Sequence, residues 1–191
     1  MKIAIIGNGN VGGALARGLG RGGHEVATAG NEPERMRAIA RDAEVVVLAV
    51  PFGAVGDAAT ALGSTVAGKV VIDVTNALTE DFQLAVGFVT SGAEQLQAKV
   101  PSASVVKAFN TVFAGTMDSG HVKDQQLTVF AAGDDGEAKR KVLELARSIG
   151  FDAVDAGPLR NARLLEPMGF QNIQLGYGLG MGTEIGLRLI H

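Results

Sequence analysis

The first thirteen residues, MKIAIIGNGNVGG, place glycines at Gly7, Gly9 and Gly12 in the order G-x-G-x-x-G. Glycine offers no functional side chain, so the chemistry available here is that of bare backbone amides gathered around an anion. The spacing is common by chance, and its context gives it weight. A β-branched stretch (Ile3, Ile5, Ile6) leads in, and an Ala/Leu/Arg helical pattern from Val11 to Arg21 follows. In that setting Gly7 permits a tight strand-to-helix turn, Gly9 lets a pyrophosphate approach the backbone, and Gly12 lets the helix close on the strand. The diphosphate of a dinucleotide would rest on unpaired N–H groups at the positive end of the helix. On this reading Gly12→Val intrudes on the pyrophosphate path and sharply weakens nucleotide binding.

Other candidate residues stand where further strands end. Adenosine recognition is set roughly 20 residues past the glycine turn, where the sequence reads Gly30-Asn31-Glu32-Pro33-Glu34-Arg35. Asn31 can bond either ribose form, Glu32 opposes a 2′-phosphate if it points inward, and Arg35 favours one. Glu32 and Glu34 read equally well as solvated acids in a first helical turn. In Val50-Pro51-Phe52, proline ends ladder pairing and Phe52 either flanks a ligand or joins the core. Asn76, closing Asp73-Val74-Thr75-Asn76, can bond a ribose or a carboxamide, or simply form a turn. Lys107 reads as solvated or paired rather than as a Schiff base. His24, His121 and His191 read as surface residues, and neither a Ser/His/Asp set nor a metal-ligand spacing stands out. Lack of acid, base and nucleophile suits direct hydride transfer, in which cofactors carry the reaction and protein aligns them. A second series, Gly176-x-Gly178-x-Gly180-x-Gly182, follows no strand; it suits backbone laid against a flat ligand or another chain, or a flexible segment packed on the sheet.

Positioning these residues requires alternating strands and helices. Strands are expected at Lys2–Ile6, Glu25–Ala29, Glu44–Val50, Lys69–Val74, Ser104–Ala108, Gln126–Ala131 and Phe151–Asp155. Helices are expected at Val11–Arg21, Pro33–Ala40, Ala54–Leu62, Gly92–Lys99, Glu137–Ile149 and Ala162–Tyr177. Val45–Val50 and Val70–Ile72 are continuously apolar, the mark of strands covered on both faces. The fold class is α/β: a doubly wound (Rossmann), mostly parallel sheet with a short helical C-terminal extension. Residues 1–159 are expected to form the dinucleotide-binding domain and 160–191 a C-terminal helical segment. The stretch Leu78–Thr90 is the least regular and lies where a loop can cover a ligand.

Composition bounds the function classes. The chain has 191 residues, 47% hydrophobic and 19% charged, which suits one globular domain rather than a disordered chain. A net charge of −3 without a long basic cluster argues against nucleic acid and anionic membranes as partners. Zero cysteines remove disulfides, thiolate nucleophiles and cysteine-ligated metals together. No charged-then-apolar leader precedes the first strand and no apolar run approaches the ~18 residues a span needs, so a cytoplasmic protein is expected.

With these motifs placed, the chain resembles the deazaflavin (coenzyme F420)-dependent NADP oxidoreductases. The resemblance runs through the glycine turn, Val50-Pro51-Phe52, Val105 to Thr111, Gly133-Asp134-Asp135, Asp155 to Leu159, Asn161 to Glu166, and Gly180-Met181-Gly182 with Ile185-Gly186. It is similar at the same places to the cytosolic reductase domain of six-transmembrane ferric reductases, especially at Val106–Asn110. The resemblance implies that Gly7, Asn8, Gly9, Asn10, Val11 and Gly12 hold the pyrophosphate. Val50, Pro51 and Phe52 would line the adenosine path, with Asn31, Arg35 and Asn76 as further contacts and Ala108 near the nicotinamide. Asn110, Thr111 and Val112 would border the reacting rings, Val112 and Asn110 nearest the transfer, while Gly180, Met181 and Gly182 help form the acceptor pocket. Two departures matter: Asn31-Glu32 replaces the family's Ser/Thr-Arg pair, and the Asn110 segment matches the ferric-reductase branch better. The implied function is hydride transfer between a nicotinamide (NADP(H) favoured, NAD(H) allowed) and a deazaflavin or flavin, in a cytoplasmic protein able to form a homodimer. The alternative is a non-catalytic NAD(P)-binding sensor.

Overall fold

The computed structural model describes residues 1–190. A seven-stranded sheet runs in the order β2-β1-β3-β4-β5-β8-β9. Its strands are β1 (Lys2–Ile6), β2 (Glu25–Ala29), β3 (Val45–Leu48), β4 (Val70–Asp73), β5 (Ser104–Lys107), β8 (Thr128–Gly133) and β9 (Asp152–Asp155). All neighbours pair parallel except β5 and β8, which are antiparallel. A two-residue ladder, β6 (His121–Val122) with β7 (Gln125–Gln126), lies between β5 and β8 in the chain. It was not foreseen, because apart from Val122 its residues are polar and two-residue strands are too short to leave a period in the sequence.

Six helices cover the sheet: α1 (Asn10–Arg21), α2 (Pro33–Asp42), α3 (Val55–Leu62), α4 (Gly92–Lys99), α5 (Gly136–Ser148) and α6 (Ala162–Ile173). Alternation along β1 sends Ile3 and Ile5 to one face and Ala4 and Ile6 to the other. The first pair packs with Leu15 and Leu19 of α1 and Val142 and Leu145 of α5. The second packs with Met36 of α2, Leu62 of α3 and Leu96 of α4. Every residue of β3 and β4 is buried, as their unbroken apolar runs foretell. Pro33 opens α2, where a missing N–H costs nothing. The expected helix to Tyr177 instead stops at Ile173, and Gln174–Gly178 winds wider, with Leu179 N donating to Gln174 O. The segment beyond it returns to the start of β8, where Thr128 N donates to Leu187 O and Leu189 N to Thr128 Oγ1.

Strand order reverses beside β1: the chain goes out to β2, then crosses back to β3. The crevice at the carboxyl ends of β1 and β3 is where such sheets take ligands.

Two helices not adjacent in sequence are locked near that rim. Arg163 of α6 grips Glu94 of α4 through Nε and Nη2, at 2.9 and 2.7 Å. Ser91 caps α4, accepting from Glu94 N and donating to Glu94 Oε2. The Arg163 hydrogen bonds hold the Glu94 carboxyl below its ordinary value of 4.5, outweighing the desolvation that opposes them. A carboxylate with a depressed folded pKa adds stability above its unfolded pKa and loses it as pH falls through the folded one. Arg163→Met should therefore lower Tm modestly above pH ~5. The gap from wild type should close on further acidification, as a pair of melting series would show.

Candidate functional site

The turn from β1 into α1 is built as its glycines require. Gly7 sits at φ +111°, and a Cβ there would lie 2.1 Å from Ala49 O, at the end of β3. A Cβ on Gly12 would lie 1.9 Å from Gly7 O, so helix and turn touch backbone to backbone. This corrects the expectation for Gly12→Val: its clash falls on the backbone of the turn itself rather than on a ligand path. Gly9 differs from both. It is the N-cap of α1, no side chain caps the helix, and nothing lies within 4 Å of where its Cβ would be. The first-turn amides of a twelve-residue helix thus face open space, with no acidic side chain in that turn.

Two clefts meet at this turn. One, about 330 Å³, opens between the ends of β1, β2 and β3 and is lined by Gly7, Gly30, Asn31, Val50, Pro51 and Asp57, among others. Val50 and Pro51 form its apolar wall. Phe52 turns away instead: its ring edge lies 2.7 Å from where a Gly92 Cβ would stand, so it packs on the start of α4. Arg35 is also drawn off, donating from Nε to Thr28 O at 3.2 Å. The second cleft, about 550 Å³, lies across Asn8 and Gly9 and is closed by Asn10, Arg17, Phe113, Tyr177 and Thr183. Phe113 and Tyr177 meet edge to face at 5.7 Å. Gly176 permits this wall, since a Cβ there would lie 2.6 Å from the Phe113 ring.

Other expected site residues are arranged around these clefts. Gly180, Met181 and Gly182 form the bend between Tyr177 and Thr183, held by Met181 N to Leu175 O and Gly182 N to Gly176 O. Val11 and Val112 are half-buried against the α1 side of the core. Ala108 is fully buried. Asn76 and Asn110 share their amides: Asn76 Nδ2 donates to Asn110 O, and Asn110 Nδ2 to Asn76 Oδ1 and to Leu165 O. Asn110 is 4% exposed, and its Oδ1 has no partner among the described residues. Phe109, at φ +65° and buried, bends the chain so that Asn110 reaches α6. Thr111 O accepts from Asn172 Nδ2, a second tie to α6.

One cluster was missed. Lys107 is 0% exposed, and its Nζ lies 3.0 Å from Asp73 Oδ2, 2.9 Å from Glu166 Oε1 and 2.6 Å from Thr75 O. Glu166 also accepts from Gly92 N and Ala93 N at the start of α4. The lysine is thus paired, as one of its two readings had it, and wholly unsolvated. Asp73 and Lys107 are register partners closing apolar strands β4 and β5, and that shared position was the available signal.

Proton-transfer chemistry finds little support around the clefts. His24 is bound to Ser148 and the Met1 amino group, with its pKa lowered by burial and then by that amine; His121 bonds Ser119 O. His191 lies outside the described residues. No three His, Cys, Asp or Glu side chains are grouped to hold a metal among the described residues, and no helix is long and apolar enough to cross a membrane. What the site can do is hold a diphosphate on bare amides between a nucleoside-sized cleft and a second cleft with an aromatic wall.

Comparison with known proteins bears on that geometry. The family described as NADP oxidoreductase, coenzyme F420-dependent, matches residues 2–77. Metalloreductase STEAP3 of Rattus norvegicus is 33% identical over 178 residues, 86% of this chain and 36% of that protein. Metalloreductase STEAP2 of Homo sapiens is 34% identical over 99 residues, 52% of this chain and 19% of its own length. The chain therefore spans about a third or less of these curated relatives. A solved candidate F420-dependent NADP reductase from Arthrobacter sp. FB24 superposes with a TM-score of 0.91, 30% identical, with both chains covered completely. Full-length correspondence at that identity, with the glycine turn inside the matched region, shows that this chain belongs to the coenzyme F420-dependent NADP oxidoreductase family.

Proposed function

We propose that the protein transfers hydride between a nicotinamide dinucleotide and a tricyclic flavin-type ring, either a deazaflavin or a flavin. The observation that carries this is the uncapped start of α1 at Gly9, standing open between two clefts on opposite sides of one turn. A dinucleotide laid across it would place its adenosine half against Val50 and Pro51 and its nicotinamide half toward Phe113. The bound pair would supply the chemistry, transfer of a hydride from the dihydronicotinamide to the flavin-type ring, with the balancing proton taken up from bulk solvent. The protein's part is placement. The Asn76–Asn110 pair fixes the ends of β4 and β5 beside α6, and Phe113 and Tyr177 provide an aromatic wall against which two rings can be held close. Residues 160–190 belong to the acceptor side through Tyr177 and Thr183.

The test is a direct one. The full chain is incubated with NADH or NADPH and, in separate reactions, with FMN, FAD, riboflavin or a 5-deazaflavin, each with and without a ferric chelate. The chelate is included because the curated relatives are named metalloreductases. Loss of dihydronicotinamide absorbance that saturates with one of these rings is the expected result. Tight nucleotide binding with no acceptor reduced would replace this reading with that of a sensor.

A further inference from the structure

The family's name carries NADP, yet the ribose end of this site is built for the other nucleotide. We infer that Glu32 selects NAD(H) over NADP(H) in this chain, an inference that rests on reading the glycine turn as a dinucleotide site.

The argument begins at the end of β2, the strand whose exit faces the adenosine ribose in folds of this kind. Gly30 lines the smaller cleft. The Glu32 carboxylate lies 3.3 and 3.5 Å (Oε2 and Oε1) from the point where a Gly30 Cβ would stand, and Asn8 Nδ2 lies 3.3 Å from the same point. Glu32 is therefore folded back toward the glycine turn rather than spread along the first turn of α2. It makes no capping bond to that helix, so the helix start does not account for its position. Glu32 is exposed at the mouth of the cleft, beside the lining residues Gly30 and Asn31; Asp57 is the carboxylate among the lining residues, and none of them is lysine or arginine. The nearest basic side chain in sequence, Arg35, donates its Nε to Thr28 O on the edge strand.

The two nucleotides differ only at the ribose 2′ position. A hydroxyl there can donate to a carboxylate, a charge-assisted bond stronger than a neutral one. A phosphate there brings about −1.5 to −2 charges and acceptor oxygens only. Set before Glu32 and Asp57 with no cation among the lining side chains, it meets repulsion and finds no donor stronger than an asparagine amide.

Calorimetric titration of the full chain with NADH and NADPH tests this. Wild type should bind NADH at least tenfold more tightly, about 1.4 kcal/mol. Glu32→Gln removes the charge and keeps the shape; it should bring the two dissociation constants to within about threefold, chiefly by tightening NADPH. Glu32→Arg should reverse the order. Equal or tighter binding of NADPH by wild type would overturn the inference while leaving the proposed hydride transfer intact. An unchanged ratio in Glu32→Gln would overturn the assignment to Glu32. Failure of the wild type to bind either nucleotide would remove the dinucleotide reading itself, and this inference with it.

Discussion

Gly9→Val should leave the chain folded and raise the dissociation constant for any pyridine nucleotide at least a hundredfold, about 2.7 kcal/mol. Gly9 holds φ −74° and ψ −163°, a conformation open to any residue, and its Cβ position has no neighbour within 4 Å. A valine there strains nothing. Glycine serves better than valine at an N-cap, so a loss of stability of about 1 kcal/mol or less is the expected structural effect. The branched side chain would, however, project into the one space from which an anion reaches the first-turn amides of α1. Chemical denaturation should thus show a near-normal midpoint while calorimetry shows binding lost. The neighbouring glycines cannot give this separation: a Cβ on Gly7 or Gly12 runs into backbone at 2.1 and 1.9 Å, and folding and binding fail together. A Gly9→Val chain that binds nucleotide normally would mean that the ligand does not cross this turn.

Much of this architecture was legible because the chain states it more than once. The glycine turn combines a strand, three spaced glycines and a helix, and the close backbone approaches at Gly7 and Gly12 fit the turn and helix-packing tasks read for them, while the space at Gly9 is open. The continuous Val and Ile runs of β3 and β4 could only be strands buried on both faces. Less legible were features in which one side chain's choice depends on distant partners. Phe52 had two readings of equal merit, and packing against Gly92, forty residues on, decided between them. Asn76 and Asn110 each looked like a ligand contact, but most of their amide capacity joins two strand ends to α6, an arrangement invisible until the strands are in register. Met181 was expected in the acceptor pocket through resemblance; its segment is a bend whose flanking residues, Tyr177 and Thr183, reach the cleft.

The buried cation at Lys107 leads to the other large effect. Asp73, Lys107 and Glu166 are 0–1% exposed, so each has given up nearly all its hydration and depends on the others. Lys107→Met fills similar volume but leaves two carboxylates facing each other in the interior without a counter-charge. Breaking a buried pair in this way costs about 3–5 kcal/mol, most of it the burden of stranded charge rather than the worth of the contact. Glu166→Gln should cost less, about 1–3 kcal/mol. It keeps one oxygen as acceptor but sets an amide NH₂ either against the lysine and Ala93 N or against Gly92 N. If stranded charge is the cause, a triple change of Asp73→Leu, Lys107→Met and Glu166→Leu should recover part of what Lys107→Met alone loses, because no ion is then left without water. Urea titrations of the wild type, Lys107→Met and the triple variant decide this; a triple variant no more stable than Lys107→Met would assign the stability to the contacts themselves. The same measurement reaches the site, because Lys107 also holds Thr75 O and Glu166 holds the start of α4, the two supports on which Asn76 and α6 rest. Where the Glu166→Gln chain folds, adenosine-side binding at Val50 and Pro51 should persist, while turnover, which depends on the β4 and β5 ends, should fall.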